Sequence, residues 1–282
     1  MHANRFPHAL LFTVLLLGGC SCGAASDAES EVEGTSASAL SMGTIQGVIR
    51  LSEDSELPRY LSNPMEATST GTAIPDDCSP AGERDAAPLL LSEDRGLSFV
   101  PVMGLGDSAH WPERTGARSI DVHIRDCRLD PPVITATAGD VLRVHNDLMY
   151  PFFPSLGAGG FFQAVLPGEA REFELDLPRP VTLGCSVTSP CGRTEVLVLG
   201  SPVHTVSTQG GHFTLEVPAD QDIELVAWHP LIAEAAIHTT VGAGETVHVE
   251  IEVHAVVIAP PPAPLPIPEG DRVEDHPELG PF

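Results

Sequence analysis

The sequence contains no lysine. All 14 of its basic residues are arginines, they face 39 acidic residues, and the formal net charge is -25. A chain this acidic repels phosphate backbones and anionic lipid head groups. Nucleic-acid binding and electrostatic docking to a membrane surface are therefore excluded as functions.

Aromatic residues are also scarce, at 5% of the sequence, whereas glycine (26) and proline (27) are abundant. This combination favours short strands joined by turns over long helices. The apolar content of 42% is that of an ordinary globular protein, so wholesale disorder is excluded and at least one sizeable core is expected. A length of 282 residues allows one or two domains.

The apolar run near the N-terminus, residues 9–17, is too short to span a bilayer as a helix. Arg5 precedes it, and Leu17-Gly18-Gly19-Cys20 follows at once. This pattern resembles bacterial lipoprotein signal peptides, in which the cysteine becomes the lipidated first residue of the mature chain. The resemblance implies that residues 1–19 are a signal peptide and that Cys20 carries the lipid. The alternative is an ordinary signal peptide cut nearby, which would leave Cys20 as a spare thiol.

A lipid-anchored chain belongs to the bacterial cell envelope, in the periplasm or at the outer-membrane surface, and its membrane partner is reached through the anchor. Disulfides persist in that compartment, so its cysteines are first considered as bridge partners. The remaining five are Cys22, Cys78, Cys127, Cys185 and Cys191, of which Cys22 has no predicted role.

Both ends of the mature chain are predicted to lack a packed structure. Residues 20–43 are small, polar and acidic, which is typical of a disordered spacer. Residues 255–282 contain alternating prolines and are predicted to form an extended, disordered tail.

Apolar and polar residues alternate with a period of two in at least eight segments between these ends. Glycine, proline, asparagine or aspartate bounds each segment. The segments are 44–49, 119–124, 140–145, 172–177, 195–199, 212–217, 222–228 and 245–253. They predict an all-β chain with two sandwich domains, in which only residues 231–237 are able to form a short helix.

Four motifs follow one another in the middle of the chain: 127–133 (CRLDPPV), 138–147 (AGDVLRVHND), 162–168 (FQAVLPG) and 183–185 (LGC). Their order resembles bacterial cupredoxin-like proteins of the methylamine-utilisation type. The resemblance implies a cupredoxin-like Greek-key β-sandwich, assigned here to residues 44–200.

Two further motifs follow, 206–218 (VSTQGGHFTLEVP) and 225–229 (LVAWH). They resemble the carboxypeptidase-regulatory-like domain, which implies a second, smaller prealbumin/Ig-like β-sandwich over residues 201–254. Gly210-Gly211 is predicted to be a hairpin turn, with Phe213 and Leu215 on one face. The first strand, 44–51, also resembles the opening strand of this domain, so an alternative has the cupredoxin-like domain inserted within it.

The cupredoxin family holds a type 1 copper with two histidines, one cysteine and a weak methionine, because imidazole and thiolate suit both oxidation states of the metal. This sequence departs from that set at nearly every position. No histidine follows Asn146-Asp147, and the loop after Cys185 has Thr188 and Cys191 where the family has histidine and methionine. Only Cys185 is retained, so we expect no cofactor and a loss of electron transfer.

Cys185 and Cys191 are expected to form a disulfide that closes this loop, and Cys78 and Cys127 to form a second one. The alternative is a copper site in which Cys185 and Cys191 hold Cu(I), with Met149 and His145 as further ligands. The other histidines are scattered at strand spacing and predict no metal site.

The sequence shows no nucleophile elbow and no recognisable histidine and acid partners for Cys185, so it does not predict an enzyme. The function expected is that of a non-enzymatic envelope lipoprotein with a degenerate cupredoxin domain. It would act as a binding or structural module for an unknown protein or small molecule. A copper-binding or electron-transfer cupredoxin is the alternative.

Overall fold

The alternating segments form strands, and nearly all regular structure is β. The computed structural model describes residues 41–58, 88–107, 111–112, 114, 116–157, 163–185 and 191–256. The predicted signal peptide and most of the predicted spacer and tail lie outside these residues, as do Cys20, Cys22 and Cys78. Among the described residues, no helix is long and apolar enough to cross a membrane. The predicted all-β class is confirmed.

Two sheets pack together in what we call the host sandwich. One has the strand order β14-β1-β17 and the other β13-β4-β15-β16. The strands are β1 (Met42–Leu51), β4 (Pro101–Leu105), β13 (His204–Val206), β14 (His212–Pro218), β15 (Asp222–His229), β16 (Ile232–Thr240) and β17 (Thr246–Val253). A small hairpin of β2 (Leu90–Leu91) and β3 (Leu97–Ser98) accompanies them.

Two four-stranded sheets form what we call the inserted sandwich, with the orders β10-β8-β5-β6 and β7-β12-β11-β9. Its strands are β5 (Ser119–Arg125), β6 (Arg128–Asp130), β7 (Val133–Thr137), β8 (Asp140–Asn146), β9 (Pro154–Leu156), β10 (Ala170–Leu175), β11 (Arg179–Cys185) and β12 (Arg193–Leu199). The connections from β6 to β11 cross between the two sheets, as in a Greek-key sandwich, and they leave β5 parallel to β8 and β7 parallel to β12.

The pairing of β1 decides how the chain is divided. β1 lies parallel to β17 and antiparallel to β14, and β4 pairs with β13 and β15. The strands from 42 to 105 therefore belong with those from 204 to 253, and not with the inserted sandwich as the division at residues 44–200 and 201–254 assumed. The structure has the alternative arrangement, in which the Greek-key sandwich is inserted into the other domain.

Each sandwich has its own core, built from the inward-facing residues of its strands. The host core includes Ile45, Ile49, Phe213, Leu215 and Leu225, all buried. The predicted common face of Phe213 and Leu215 is thus confirmed. The inserted core includes Ile124, Leu142, Val144, Leu183 and Val196. Burying one such side chain stabilises the fold by about 1.5–3 kcal/mol. Because each sandwich buries its own set, each has its own hydrophobic stabilisation.

Two local expectations are wrong. Residues 231–237 lie largely in strand β16, because antiparallel pairing of β16 with β15 outweighs their weak helical preference. Gly210-Gly211 is not a hairpin turn but part of a single 3-10 turn between β13 and β14, which lie in different sheets. Gly211 has a φ of +82°, and a Cβ there would lie 2.4 Å from the Ile49 carbonyl oxygen, so only glycine fits.

A buried carboxylate lies where the chain enters the inserted sandwich. Asp140 is fully buried. It accepts hydrogen bonds from the Thr137 amide (2.8 Å), the Arg118 amide (2.7 Å) and the Arg118 guanidinium (3.2 Å), and it pairs with Arg114. Burial by itself raises the pKa of Asp140, but these hydrogen bonds outweigh it and lower the pKa below its ordinary value.

Two histidines of the host sandwich lie out of full contact with solvent: His229 is buried and His204 is half-buried. His204 follows the exit from the inserted sandwich, and its Nε2 lies 3.0 Å from Thr137 Oγ1. Nδ1 of His229 accepts a hydrogen bond from the Leu231 amide at 3.1 Å. Burial lowers the pKa of His204 to about 4 and that of His229 to about 3, with a smaller effect from nearby arginines. Both rings are therefore neutral in the folded protein at neutral pH.

We expect stability to fall as the pH drops from about 6.5 towards 4. In that window the unfolded chain protonates both histidines and the folded chain does not, so each histidine removes about 1.4 kcal/mol per pH unit. Denaturant unfolding at several pH values measures this slope. His229→Asn should make this slope shallower, because asparagine does not titrate. Its side-chain oxygen can still accept the Leu231 hydrogen bond, so the site stays folded. The control is His248→Asn at an exposed site, which should leave the slope unchanged. An unaltered slope in His229→Asn would contradict the assignment.

Candidate functional site

One end of the inserted sandwich carries the residues that the sequence singled out. β8 and β11 both finish there, at Asn146 and Cys185, and β12 begins there after Cys191. We call this the disulfide end, because Cys185 and Cys191 are bonded to each other across a sequence separation of 6 residues, with their Cα atoms 5.4 Å apart.

The disulfide is built into the sandwich. Cys191 is fully buried, and its carbonyl oxygen accepts a hydrogen bond from the Leu129 amide at 2.8 Å. Cys185 pairs with Pro154 at the end of β11. The predicted bridge between Cys185 and Cys191 is present, and it ties the end of β11 to the start of β12.

Cys127 lies on the neighbouring hairpin between β5 and β6. It is also disulfide-bonded and is almost completely buried. Its predicted partner, Cys78, lies outside the described residues, so that pairing remains a prediction. Asp126 and Cys127 both have positive φ values, +47° and +57°, as the two central residues of a tight hairpin turn require.

Asn146 organises the loop that follows β8, where the copper family supplies its first histidine. Its side-chain amide donates to the carbonyl oxygens of Tyr150 (2.6 Å) and Val165 (2.9 Å), and its Oδ1 accepts from the Leu148 amide (3.0 Å). Met149 lies at the tip of this loop and is 82% exposed. The loop thus closes around an asparagine amide and leaves the methionine thioether in solvent.

His145 lies on the other face of the sheet from Asn146, because successive residues of a strand point to opposite sides. Its ring stacks on that of His123 with the centroids 4.6 Å apart, and its Nε2 lies 2.6 Å from Asp121 Oδ1. The hydrogen bond with His145 lowers the pKa of Asp121. His123 in turn pairs with Asp147, whose pKa is lowered chiefly by Arg125.

The four residues of the copper alternative thus occupy three separate places. Cys185 and Cys191 are joined in the bridge, Met149 is in solvent, and His145 is bound to Asp121 on the outer face. Within the described part of the chain, no three histidine, cysteine, aspartate or glutamate side chains converge as a metal site would require.

A cleft of about 380 Å³ separates the disulfide end from the β2–β3 hairpin of the host sandwich. The hairpin side contributes Pro88, Leu90 and Phe99. The inserted sandwich contributes residues of the β5–β6 hairpin, Pro132 and Arg193. The volume lies within the range of small-molecule sites, about 300–1,000 Å³.

Sequence analysis missed the cationic character of this cleft. Arg125, Arg128 and Arg193 all line it, together with Asp126 and Asp130. The scarcity of arginine in an acidic chain was a signal that could have directed attention to these positions. Their approach to Leu90 and Phe99, however, depends on how the two sandwiches pack.

The Trp228-His229 motif lies at a second, more open cavity on the other side of Arg193. Trp228 lines this cavity with Thr182, Arg193 and Glu195, whereas His229 is buried behind it. The carboxylate of Glu195 is itself buried and pairs with Arg193. The histidine of this motif therefore packs in the core, and only the tryptophan is available at the surface.

Comparisons with known proteins return structures only. No protein-family model matches the chain, and no curated protein matches it. Similar solved structures include a mutant amicyanin in its Cu(I) state, 16% identical, which covers 34% of this chain and 98% of its own with a TM-score of 0.25. Amicyanin from Paracoccus versutus is 18% identical over 34% of this chain and 97% of its own, with a TM-score of 0.26.

The copper-containing nitrite reductase from Thermus scotoductus SA-01 is similar as well. It is 13% identical and covers 33% of this chain and 26% of its own, with a TM-score of 0.26. All three likenesses concern about one third of the chain. The strand order described above is the basis on which the inserted sandwich is called a cupredoxin-like Greek key.

We expect neither Cys185 nor Cys191 to react with a thiol reagent in the denatured, unreduced protein, as peptide mapping would show. Replacing both with alanine should cost about 2 kcal/mol of unfolding free energy, because the bridge closes a short loop. Denaturant unfolding measures this cost, and Met149→Leu in the exposed loop after β8 serves as a control that should cost almost nothing. Free labelling of both cysteines would contradict the bridge.

Proposed function

We infer that this chain is a non-enzymatic lipoprotein of the bacterial cell envelope, whose cupredoxin-like domain has lost its copper site and acts as a binding module. The observation that carries this proposal is the bond between Cys185 and Cys191. A type 1 copper centre needs a thiolate, and a cysteine engaged in a disulfide does not supply one.

The remaining donors support the same proposal. The centre also needs two imidazoles, and the histidine nearest in sequence to Asn146 is His145, which is directed to the outer face and bound to Asp121. The side chain inside the sandwich at that point is the Asn146 amide, and its three hydrogen bonds all go to the surrounding backbone. The chain has thus replaced a metal-organised end with one held by covalent and hydrogen bonds.

Location in the envelope is supported by two features of different kinds. The Leu17-Gly18-Gly19-Cys20 ending supplies a lipidation site, and a disulfide within the folded body is stable in an oxidising compartment. A lipid at Cys20 would hold the chain at a membrane without any basic surface. This suits a chain with a net charge of -25, which anionic head groups would repel.

The binding part of the proposal is supported by the cleft beside the disulfide end. It is concave, its volume suits a small ligand, and it combines apolar walls with arginine side chains. Because the bridge fixes the start of β12, it also fixes Arg193 at the edge of this cleft. A rigid end with a formed cleft next to it favours binding over electron transfer.

Copper titration of the purified full chain tests the loss of the metal site. We expect no intense visible charge-transfer band with Cu(II) and no stoichiometric Cu(I) binding without prior reduction. The matched control is the double variant Cys185→Ser/Cys191→Ser, which leaves no free thiol from the bridge and should give the same result as the unaltered chain. A visible band, or tight Cu(I) binding that disappears in this double variant, would establish the copper-binding alternative instead.

Membrane fractionation tests the anchor. In a bacterial host the unaltered chain should fractionate with membranes, and Cys20→Ala should move to the soluble fraction because it carries no acyl chain. Cys22→Ala, two residues further along, is the control and should remain with the membranes. Retention of Cys20→Ala in the membrane fraction would refute lipidation at this position.

A further inference from the structure

We propose that the cleft beside the disulfide end binds a small organic monoanion, a carboxylate with an apolar body. Its charge would lie at Arg128 and its apolar part between Leu90, Phe99 and Leu129. This inference rests on the proposed binding function and names the class of ligand.

The charge of the site comes from a cross-strand pair of arginines. Arg125 and Arg128 are directly opposite each other in the β5–β6 ladder, and both line the cleft. Like charges placed opposite each other destabilise a hairpin. Arg125 is compensated by Asp147, whose Oδ2 lies 2.7 Å from its Nε. An anion bound next to Arg128 would compensate the second charge.

Arg128 differs from the other two arginines of the cleft. It is half-buried, and among the described residues its guanidinium has neither a hydrogen bond nor an ion pair. Arg193, the third arginine of the cleft, is paired with Glu195. Within the described lining, Arg128 is therefore the guanidinium most suited to receive a carboxylate, which it can bind through two parallel hydrogen bonds.

The apolar wall is formed before any ligand arrives. Leu90 is 57% exposed and lines the cleft, so its side chain is available to a ligand. Phe99 has a φ of +68°, a left-handed conformation that is strained for a non-glycine residue. Hydrogen bonds with Ser207 keep it there: the Phe99 amide donates to the Ser207 carbonyl, and the Val100 amide to the Ser207 hydroxyl, both at 2.9 Å.

The acidic residues of the cleft select the charge of the ligand. Asp126 and Asp130 lie in the same lining as the arginines. They would repel a phosphate or another multiply charged anion more strongly than a single carboxylate. Among the described lining residues, Arg125 and Arg193 are already paired with carboxylates, so Arg128 is the arginine left to receive a single negative charge.

Isothermal titration calorimetry with matched probes tests the proposal. The protein is the full chain carrying Cys20→Ala, so that no acyl chain or detergent competes for the cleft. The probes are N-acetyl-L-phenylalanine and its neutral amide, which differ only in the charged group. We expect saturable binding of the acid and at least tenfold weaker binding of the amide, as the loss of a charge-assisted hydrogen bond implies.

Variants then locate the site. Arg128→Gln should weaken binding of the acid about tenfold and leave binding of the amide unchanged, so the amide reports that the cleft is still folded. Arg128→Lys should retain part of the affinity, since it keeps the charge and loses the paired geometry. Leu90→Ser should weaken both probes alike. Arg143→Gln is the control, because Arg143 lies on the outer face of the inserted sandwich, 4.0 Å from Glu172.

Three results would overturn the proposal: no saturable binding of the acid, equal affinity for acid and amide, or unchanged affinity in Arg128→Gln. None of these affects the loss of the copper site, which the copper titration tests separately. Conversely, tight copper binding would refute the proposed function whether or not the acid binds.

Discussion

The buried carboxylate of Asp140 holds together the point at which one sandwich is inserted into the other. It receives the Arg114 and Arg118 side chains from the entering segment and the Thr137 amide from the turn before β8. Thr137 in turn contacts His204, where the chain returns to the host. A buried ionised group is tolerated only when its hydrogen-bonding capacity is satisfied. These contacts therefore fix the segment that enters the inserted sandwich, the turn before β8 and the segment that leaves the sandwich relative to one another. The cleft between the sandwiches depends on that constraint, because its two walls come from different sandwiches.

The alternation of side chains along β8 decides which side chain lies inside the sandwich at the disulfide end. Asn146 and His145 are adjacent, yet the amide lies inside the sandwich and the imidazole outside it. A shift of one residue in register would exchange them and bring an imidazole towards Cys185. In the observed register the end is closed by the Cys185–Cys191 bridge and the Asn146 hydrogen bonds. This covalent link holds the start of β12, where Arg193 lines the cleft.

The eight segments that alternate in sequence are all strands, because half-buried strands have polar residues on one face and apolar residues on the other. Among the strands that sequence analysis missed, β7 and β16 have other patterns. β7 is buried on four of its five residues, and β16 lies at a sheet edge and contains three alanines. Neither carries a period of two in polarity. The bridge between Cys185 and Cys191 was predictable because the two residues are close in sequence, whereas the position of His145 relative to it required the register of β8.

From the sequence come the predicted all-β class, the acidic and lysine-free composition and the predicted pairing of Cys185 with Cys191. All of these depend on composition, on period or on residues near one another along the chain. Tertiary structure alone decided that β1 pairs with β17 and β14, and hence that one sandwich interrupts the other. It also decided that Arg128 faces Leu90 and Phe99 across a cleft. Contacts between residues so distant in sequence depend on which sheets pack together, and local preference carries no information about that choice.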